Sequence, residues 1–265
     1  MQILNLLCVI KRTQPEIIFL KFLQGLYEWP LRCSALKGVI TWLFHLTIKN
    51  KYKQMKQFKL AILGGTGKSG KYLVNELLSQ DFHLKLLLRN PENFQLKSPL
   101  IEIVKGDARD YESVQTLVNG CGAVISTLGQ PRGEASIFSE ATSNVIRAMS
   151  QYEIKRYIVT TGLNVDTPFD KKGSKTKMAT EWMKSNYPKT TLDKQVEFDI
   201  LSKSDIDWTL VRLPLIELTD ERRKVIVSLE DCPGDKISAT DLAFFLTDQL
   251  SSETYIRKSP FIANA

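Results

Sequence analysis

Residues 60–73, LAILGGTGKSGKYL, are rich in glycine and also contain a threonine, a serine and two lysines. Small residues beside hydroxyl and ammonium groups are typical of loops that hold phosphate, because their backbone N–H groups can approach the ligand closely. Gly67-Lys68-Ser69 matches the end of a P-loop, and Gly65 to Gly70 also matches G-x-G-x-x-G, the pyrophosphate turn of a dinucleotide-binding sheet. The neighbouring sequence has to decide between these two interpretations.

The spacing excludes the P-loop. A P-loop that ends at Gly67 requires its first glycine at position 62, which is occupied by Ile62 within the apolar run 60–63. That run is itself a predicted strand, so the loop is too short to surround a phosphate in the P-loop manner.

The dinucleotide interpretation fits its surroundings. An apolar strand is predicted at 58–63, and residues 68–80 follow with apolar residues at helical spacing. The glycines then lie between a buried strand and a helix N-terminus, where a pyrophosphate binds in such folds. Gly64, Gly67 and Gly70 also satisfy a G-x-x-G-x-x-G spacing.

Arg89 ends the next predicted strand, 19 residues after Gly70. An acidic residue here usually binds the ribose 2′-hydroxyl of NAD, whereas an arginine suits the 2′-phosphate of NADP. The sequence therefore favours NADP over NAD. A solvated arginine at a strand end is the alternative that stays open.

Strands and helices continue to alternate along the chain. This alternation predicts an α/β protein, a single Rossmann-type domain with a doubly wound parallel sheet. Strands are predicted at 58–63, 83–90, 101–105, 122–128, 155–162 and 207–214, and helices at 68–80, 137–152 and 193–204. Ligands bind at the carboxyl ends of such strands, where Gly64–Gly70, Arg89, Asp107, Thr127 and Thr161 fall.

Composition narrows the function classes further. The four cysteines are scattered and the two histidines, His45 and His83, have no triad partners, so we expect no metal site, no disulfide framework and a cytoplasmic location. Residues 1–54 carry eight basic and two acidic residues, a net charge of +6, whereas the other 211 carry 28 and 27, a net charge of +1. The nearly neutral remainder predicts no binding of nucleic acid.

Residues 1–54 are predicted to be an N-terminal extension, and residues 55–265 the NAD(P)-binding Rossmann domain. Neither apolar patch of the extension reaches the length of a membrane span, which needs about 20 residues. We interpret Met55 as the true start of the protein, because a strand begins almost at once after it. Peripheral contact of the extension with a membrane surface is the alternative.

The chain from about 57 to 262 resembles the atypical short-chain dehydrogenase/reductases, in particular the NmrA-like and biliverdin reductase B (flavin reductase)-like NAD(P)H-binding proteins. The matching segments are GGTGKSG, LLLRNPENF, VKGDARD, VISTLG, RYIVTTG and KQVEFDILSKSDIDWTLVRLP. They cover most of the predicted sheet in the family's order.

The resemblance implies roles for individual residues. The implied pyrophosphate-binding residues are Gly64, Gly65, Thr66, Gly67, Lys68, Ser69 and Gly70. Arg89 would hold the 2′-phosphate. Asp107 and Ala108 would lie by the adenine, and Thr127, Leu128 and Gly129 would line the path to the nicotinamide. Thr161 stands where the family has its active-site Ser or Thr.

The sequence departs from the family at the catalytic Tyr-x-x-x-Lys motif. Lys194 falls at the family's lysine position, but the tyrosine position four residues earlier is Thr190. The only formal match, Tyr52 to Lys56, precedes the first strand and is interpreted as chance. Lys194 is thus a predicted catalytic residue together with Thr161, and a surface lysine on a helix is the alternative.

Three functions stay open without the phenol. An NADPH-dependent reductase could pass hydride directly to a small electron-poor acceptor such as a flavin, a quinone or a tetrapyrrole. An NmrA-like regulator would bind NADP(H) without turnover and report redox state. An epimerase-type sugar-nucleotide enzyme is disfavoured by Thr190. Substrate identity and oligomeric state are left undefined by the sequence.

Overall fold

A computed structural model describes residues 57–265, and the structural statements below concern that part of the chain. The predictions about residues 1–54, about Met55 as the start and about Tyr52 and Lys56 lie outside it. Within the described residues no helix is both long and apolar enough to cross a membrane.

Eight strands form the main sheet, in the order β3-β2-β1-β4-β5-β6-β10-β8, and β7 pairs with β9 in a separate small sheet. The strands are β1 (Lys59–Leu63), β2 (Leu84–Leu88), β3 (Ile101–Lys105), β4 (Cys121–Ser126), β5 (Arg156–Gly162), β6 (Asp207–Leu213), β7 (Leu215–Glu217), β8 (Val225–Ser228), β9 (Lys236–Ser238) and β10 (Phe261–Asn264). All pairs of the main sheet are parallel except β10 with β8. The order 3-2-1-4-5-6 is that of a dinucleotide-binding Rossmann sheet.

The described residues contain six α-helices, five of which pack on the two faces of this sheet. They are α1 (Gly70–Ser79), α2 (Tyr111–Val118), α3 (Phe138–Gln151), α4 (Ser174–Asn186), α5 (Pro188–Lys203) and α6 (Ala239–Asp248). One core lies between the sheet and α2, α3 and α5, and a second lies between the sheet and α1 and α6. The fold is therefore doubly wound, as the sequence predicts.

The central strands are buried on both faces, which explains their continuous apolar runs. In β1, Ala61 and Leu63 enter the first core, and Leu60 and Ile62 enter the second. Alternate side chains of one strand thus join opposite helical layers.

The six predicted strands are all present, and all of their bounds agree with the prediction within two residues. β4 begins at Cys121 and ends at Ser126, so Thr127 and Leu128, which were predicted to end the strand, follow it instead. The last predicted helix begins earlier than expected, at Pro188, because proline is well tolerated in the first helical turn.

The glycine turn after β1 owes its shape to two close backbone approaches. Gly64 has a φ of +77°, and a Cβ there would lie 2.6 Å from the carbonyl oxygen of Thr127. A Cβ on Gly70 would lie 2.1 Å from the carbonyl oxygen of Gly64. Only glycine allows β1, β4 and the start of α1 to meet this closely.

Gly70→Ala should therefore destabilise the protein by about 2 kcal/mol or more, because the added methyl group meets a backbone carbonyl that has little room to move. Urea denaturation measures this free energy of unfolding. Gly129→Ala is the matched control, since a Cβ there has no neighbour within 4 Å. Equal stability of the two variants would contradict the steric role of Gly70.

Candidate functional site

A cleft of about 680 Å³, here called the first cleft, opens at the carboxyl ends of β1 to β4. Ten of the residues predicted to bind the cofactor line it. They are Gly64, Gly65, Thr66, Gly67, Arg89, Asp107, Ala108, Thr127, Leu128 and Gly129. The sequence thus predicted a set of residues that the fold brings to one place, and their binding role remains a prediction.

Three further predicted residues, Lys68, Ser69 and Gly70, belong to the entry of α1 and do not line the cleft wall. The side chain of Ser69, at the N-cap position, makes no capping hydrogen bond, and the first turn contains no acidic residue. By contrast, Asp110 caps α2 and Ser238 caps α6. The positive end of the α1 dipole is therefore left without a negative partner from its own first turn.

Arg89 lies at the rim of the first cleft within a network of alternating charges. Its Nη1 donates to Glu134 Oε1 at 2.8 Å, and Nη2 of Arg109 lies 2.9 Å from Glu134 Oε2. Arg109 also donates to both carboxylate oxygens of Asp107, at 3.0 and 2.7 Å. These bonds to Arg109 are the main cause that lowers the pKa of Asp107. Arg89 is thus a paired arginine, half exposed, and not a freely solvated one.

The segment that follows β3 is fixed from two sides. Asn144 on α3 donates from Nδ2 to the carbonyl oxygens of Ala108 and Arg109, at 3.1 and 3.0 Å. Asp110 then starts α2 by accepting from the backbone N–H of Ser113 at 2.9 Å. The adenine-side residues predicted from the sequence therefore sit on a braced backbone.

Thr127 joins the ends of β1 and β4. Its backbone N–H donates to Leu63 O at 3.0 Å, and its hydroxyl lies 3.3 Å from both Leu63 O and Gly64 O. The hydroxyl therefore points at the glycine turn. This contact gives Thr127 a structural role in addition to its predicted role in binding.

The two residues predicted to be catalytic lie next to each other. Lys194 Nζ donates to Thr161 Oγ1 at 3.3 Å, and the same ammonium lies 3.7 Å from the ring centroid of Phe138. Lys194 is half-buried, and burial lowers its pKa. Lys194 thus has specific partners in the fold, but neither residue lines the first cleft, and their catalytic role remains a prediction.

A buried carboxyl lies one helical turn from Lys194. Glu197 accepts from Thr142 Oγ1 at 2.8 Å, while its Oε2 has no hydrogen-bond partner in the described structure. Burial raises the pKa of Glu197 to about 7, and the nearby charge of Lys194 only partly opposes this rise. The site therefore contains a carboxyl group that titrates near neutral pH.

Asp193 fixes the helix that carries Lys194. Its carboxylate accepts from Ser136 Oγ at 2.6 Å and from the backbone N–H of Phe138 at 2.8 Å, and it also binds the Ser139 hydroxyl. Asp193 thus serves α3 as an N-terminal cap supplied by α5. Thr190, at the place of the family's tyrosine, is partly exposed, and its hydroxyl donates to Gln130 Oε1 at 3.4 Å.

A second cleft, of about 1360 Å³, opens beyond the carboxyl ends of β5 and β6. Its wall includes Gly162, the neighbour of Thr161, and the apolar side chains of Met178, Trp182 and Met183 from α4. Trp182 and Met183 therefore form part of the wall of this cleft.

Arg212 supports the rim of the second cleft from within the core. Its guanidinium is fully buried, stacks 3.5 Å from the ring centroid of Phe261, and donates to Asp170 Oδ1 at 2.6 Å. It also donates to the carbonyl oxygen of Val165 at 3.3 Å. Arg212 therefore holds the chain after β5 against the sheet and does not itself line the cleft.

Arg109, Glu134 and Glu197 are site residues that were not predicted from the sequence. Arg109 lies in the segment VKGDARD, two residues after Asp107, so its proximity to a predicted site residue could have identified it. Glu134 lies in a loop 45 residues after Arg89, and no local pattern connects the two. Among the described residues no group of three His, Cys, Asp or Glu side chains is arranged to hold a metal ion.

A family model described as NAD(P)H-binding matches residues 64–253. That interval runs from the first glycine of the turn to the residues after α6, so it includes most residues that line the two clefts and the pair of Thr161 and Lys194.

Solved structures share the fold at low identity. A short-chain dehydrogenase/reductase from Veillonella parvula in complex with NADP is 16% identical, with a TM-score of 0.65 and coverage of 78% of this chain and 94% of its own. A Rossmann-fold NAD(P)-binding family protein from Shigella flexneri is 19% identical, with a TM-score of 0.61 and coverage of 78% and 93%. ChuY, an anaerobillin reductase from Escherichia coli, is 17% identical, with a TM-score of 0.63 and coverage of 78% and 97%. The predicted resemblance in fold is thereby confirmed.

The titration of Glu197 predicts a pH-dependent stability. Because the folded-state pKa is raised to about 7, stability is fully present below the ordinary value of 4.5 and is lost as the pH rises through 7. Relative to Glu197→Gln, the wild type should lose about 1 to 3 kcal/mol of unfolding free energy between pH 5 and pH 8.

Urea denaturation of both proteins across that pH range measures this difference. Glu140→Gln, at an exposed position of α3, is the control and should show no such trend. A constant difference between wild type and Glu197→Gln at all pH values would contradict the raised pKa.

Proposed function

The chain belongs to the NAD(P)H-binding family, and from this premise we propose that it is an NADPH-dependent reductase of a small electron-poor acceptor. The cofactor would occupy the first cleft, and the acceptor would enter through the second. The observation that carries the proposal is the Lys194–Thr161 pair. Thr161 is followed by Gly162 in the wall of the second cleft, and Lys194 packs on Phe138, which follows Ile137 in the wall of the first.

The residues of the first cleft fit a dinucleotide. The turn from Gly64 to Gly70 has no room for side chains at its two closest approaches, and the N-terminus of α1 lacks a side-chain cap. Both features suit a pyrophosphate bound by backbone N–H groups. The residues proposed to hold the cofactor are Gly64, Gly65, Thr66, Gly67, Lys68, Ser69, Gly70, Asp107, Ala108, Thr127, Leu128 and Gly129.

Arg89 would bind the 2′-phosphate and so favour NADPH over NADH. A guanidinium at the rim of the cleft can donate two parallel hydrogen bonds to a phosphate, and such charge-assisted bonds are stronger than neutral ones. The half-exposed position of Arg89 is also compatible with a ligand that enters from solvent.

Lys194 and Thr161 would orient the reacting groups between the clefts. NADPH, when bound, supplies a hydride. The ammonium of Lys194 is fixed by the Thr161 hydroxyl and by the ring of Phe138, so it can donate to a ligand without reorganisation. Its desolvation strengthens that donation, because charges interact more strongly away from water.

The absence of the tyrosine restricts the acceptor. With Thr190 at the tyrosine position, the chain has no phenol there to relay a proton to an alkoxide. An acceptor that is already electron-poor, such as a flavin, a quinone or a tetrapyrrole, does not need that relay and can take its proton from solvent. The apolar side chains of Met178, Trp182 and Met183 suit a planar molecule of this kind.

A redox sensor is the second candidate, and the same Thr190 favours it. A chain that binds NADP(H) without the proton relay can report the cofactor's redox state to a partner without turnover, as NmrA-like proteins do. In either case we propose a cytoplasmic location; the two cysteines in the described residues, Cys121 and Cys232, are both free thiols.

Arg89→Ala should weaken NADPH binding by more than about 1.5 kcal/mol and leave NADH binding nearly unchanged, because only NADPH carries the 2′-phosphate. Calorimetric titration with each cofactor measures both affinities. Arg147→Ala removes an exposed arginine outside both clefts and is the control for net charge. Equal losses for both cofactors would remove the proposed role of Arg89.

Turnover separates the reductase from the sensor. The wild type should oxidise NADPH steadily with FMN or dichlorophenolindophenol as acceptor, followed at 340 nm for the cofactor. Lys194→Met should lower that rate at least about tenfold because the reacting groups lose an orienting donor. Lys203→Met, at an exposed lysine of the same helix, should not. Tight NADPH binding without turnover would favour the sensor.

A further inference from the structure

The carboxylate of Glu134 lies between two guanidinium groups that both belong to the wall of the first cleft. It accepts from Arg89 Nη1 at 2.8 Å and lies 2.9 Å from Arg109 Nη2. A single anionic group thus already contacts both arginines at the rim where a cofactor phosphate is proposed to bind.

We propose that Arg109 is a second ligand of the 2′-phosphate, and that Glu134 holds the place of that phosphate until NADP(H) displaces it. The proposal rests on the proposed function, because it takes NADP(H) to bind at Arg89. It adds a second phosphate ligand and a competing carboxylate that the sequence did not indicate.

Arg109 is positioned to serve a phosphate. Asp107 accepts from its Nε and Nη2 and so fixes the plane of the guanidinium, while its Nη1 has no acceptor among the described residues. A guanidinium held on one side by a carboxylate keeps its other edge for an incoming anion, with little entropy left to lose.

The charges of the cluster require the phosphate to displace Glu134 and not simply to bind beside it. Arg89 and Arg109 are balanced by Asp107 and Glu134, so the cluster is neutral. A phosphate that carries nearly two negative charges would meet a like charge if Glu134 stayed between the arginines. When Glu134 moves into solvent, the two guanidinium groups become available to the phosphate.

Glu134 can leave without disturbing the rest of its loop. Its side chain is 36% exposed, and Gly133 before it has a φ of +72°, a conformation that glycine adopts without strain. The loop backbone is held separately, because Gln130 Nε2 donates to the carbonyl oxygens of Glu134 and Ala135 at 3.0 and 3.3 Å. Ser136, bound to Asp193 at 2.6 Å, fixes the far end.

The consequence is that Glu134 weakens the binding of NADPH but not that of NADH. NADPH has to break the contacts of Glu134 before its 2′-phosphate can bind, whereas NADH has no group that competes for the arginines. Glu134→Gln should therefore tighten NADPH binding about threefold to tenfold, as expected for the loss of exposed ion pairs, and change NADH binding less than twofold. Arg109→Gln should weaken NADPH binding at least about fivefold.

Calorimetric titrations of the full chain with NADPH, NADH and adenosine 2′,5′-bisphosphate test these expectations, since the third ligand carries the phosphate without the nicotinamide. Glu112→Gln is the control for Glu134→Gln, because it removes the same charge from an exposed position near Arg109. Arg147→Ala is the control for Arg109→Gln.

Tighter binding of both phosphate-bearing ligands by Glu134→Gln, and not by Glu112→Gln, would support the proposal. Unchanged or weaker NADPH binding by Glu134→Gln in a protein that still prefers NADPH through Arg89 would overturn it and leave the proposed function intact. If the wild type binds NADPH and NADH equally and Arg89→Ala affects both alike, the cofactor preference and this proposal are both overturned.

Discussion

The site depends on how closely the chain passes itself at the end of β1. Gly64 lies against the backbone of Thr127, and Gly70 lies against the carbonyl of Gly64, so two strands and a helix meet with no side chain between them. This contact brings the N-terminus of α1 to the sheet edge and opens the first cleft beside it. A methyl group at either glycine would separate these elements, and the binding geometry would be lost with the packing.

A second requirement is the attachment of α5 to the sheet. Asp193 caps α3 from α5, and in consequence the next residue, Lys194, faces Thr161 on β5. Glu197 occupies the following turn of the same helix and is buried with one oxygen lacking a hydrogen-bond partner. A carboxyl oxygen without a hydrogen-bond partner thus lies near a desolvated ammonium group. Such an arrangement lowers stability and is typical of ligand-binding and catalytic sites.

Local signals explain what the sequence could predict. The apolar runs of β1 to β6 and the spacing of the glycines are patterns that each span fewer than about ten residues. The strands, the class of topology and most residues of the first cleft could therefore be predicted from them. The strands β7 to β10 and the helices α2 and α6 were not predicted. These four strands are only three or four residues long, and their place depends on pairing across the chain. The contact of Arg89 with Glu134 joins loops 45 residues apart, and no periodicity encodes such a meeting.

Lys194 shows how tertiary context changes the meaning of one residue. By sequence it is a lysine among polar helix residues, for which a solvated role is a fair expectation. In the fold, Phe138 and Thr161 surround its ammonium, and the aromatic face and the hydroxyl together replace part of the water that burial removes. A lysine held in this way can donate a hydrogen bond to a neighbouring group, but with Thr190 at the tyrosine position there is no phenol at that position to relay a proton. The acceptor proposed for this protein follows from that separation of the two roles.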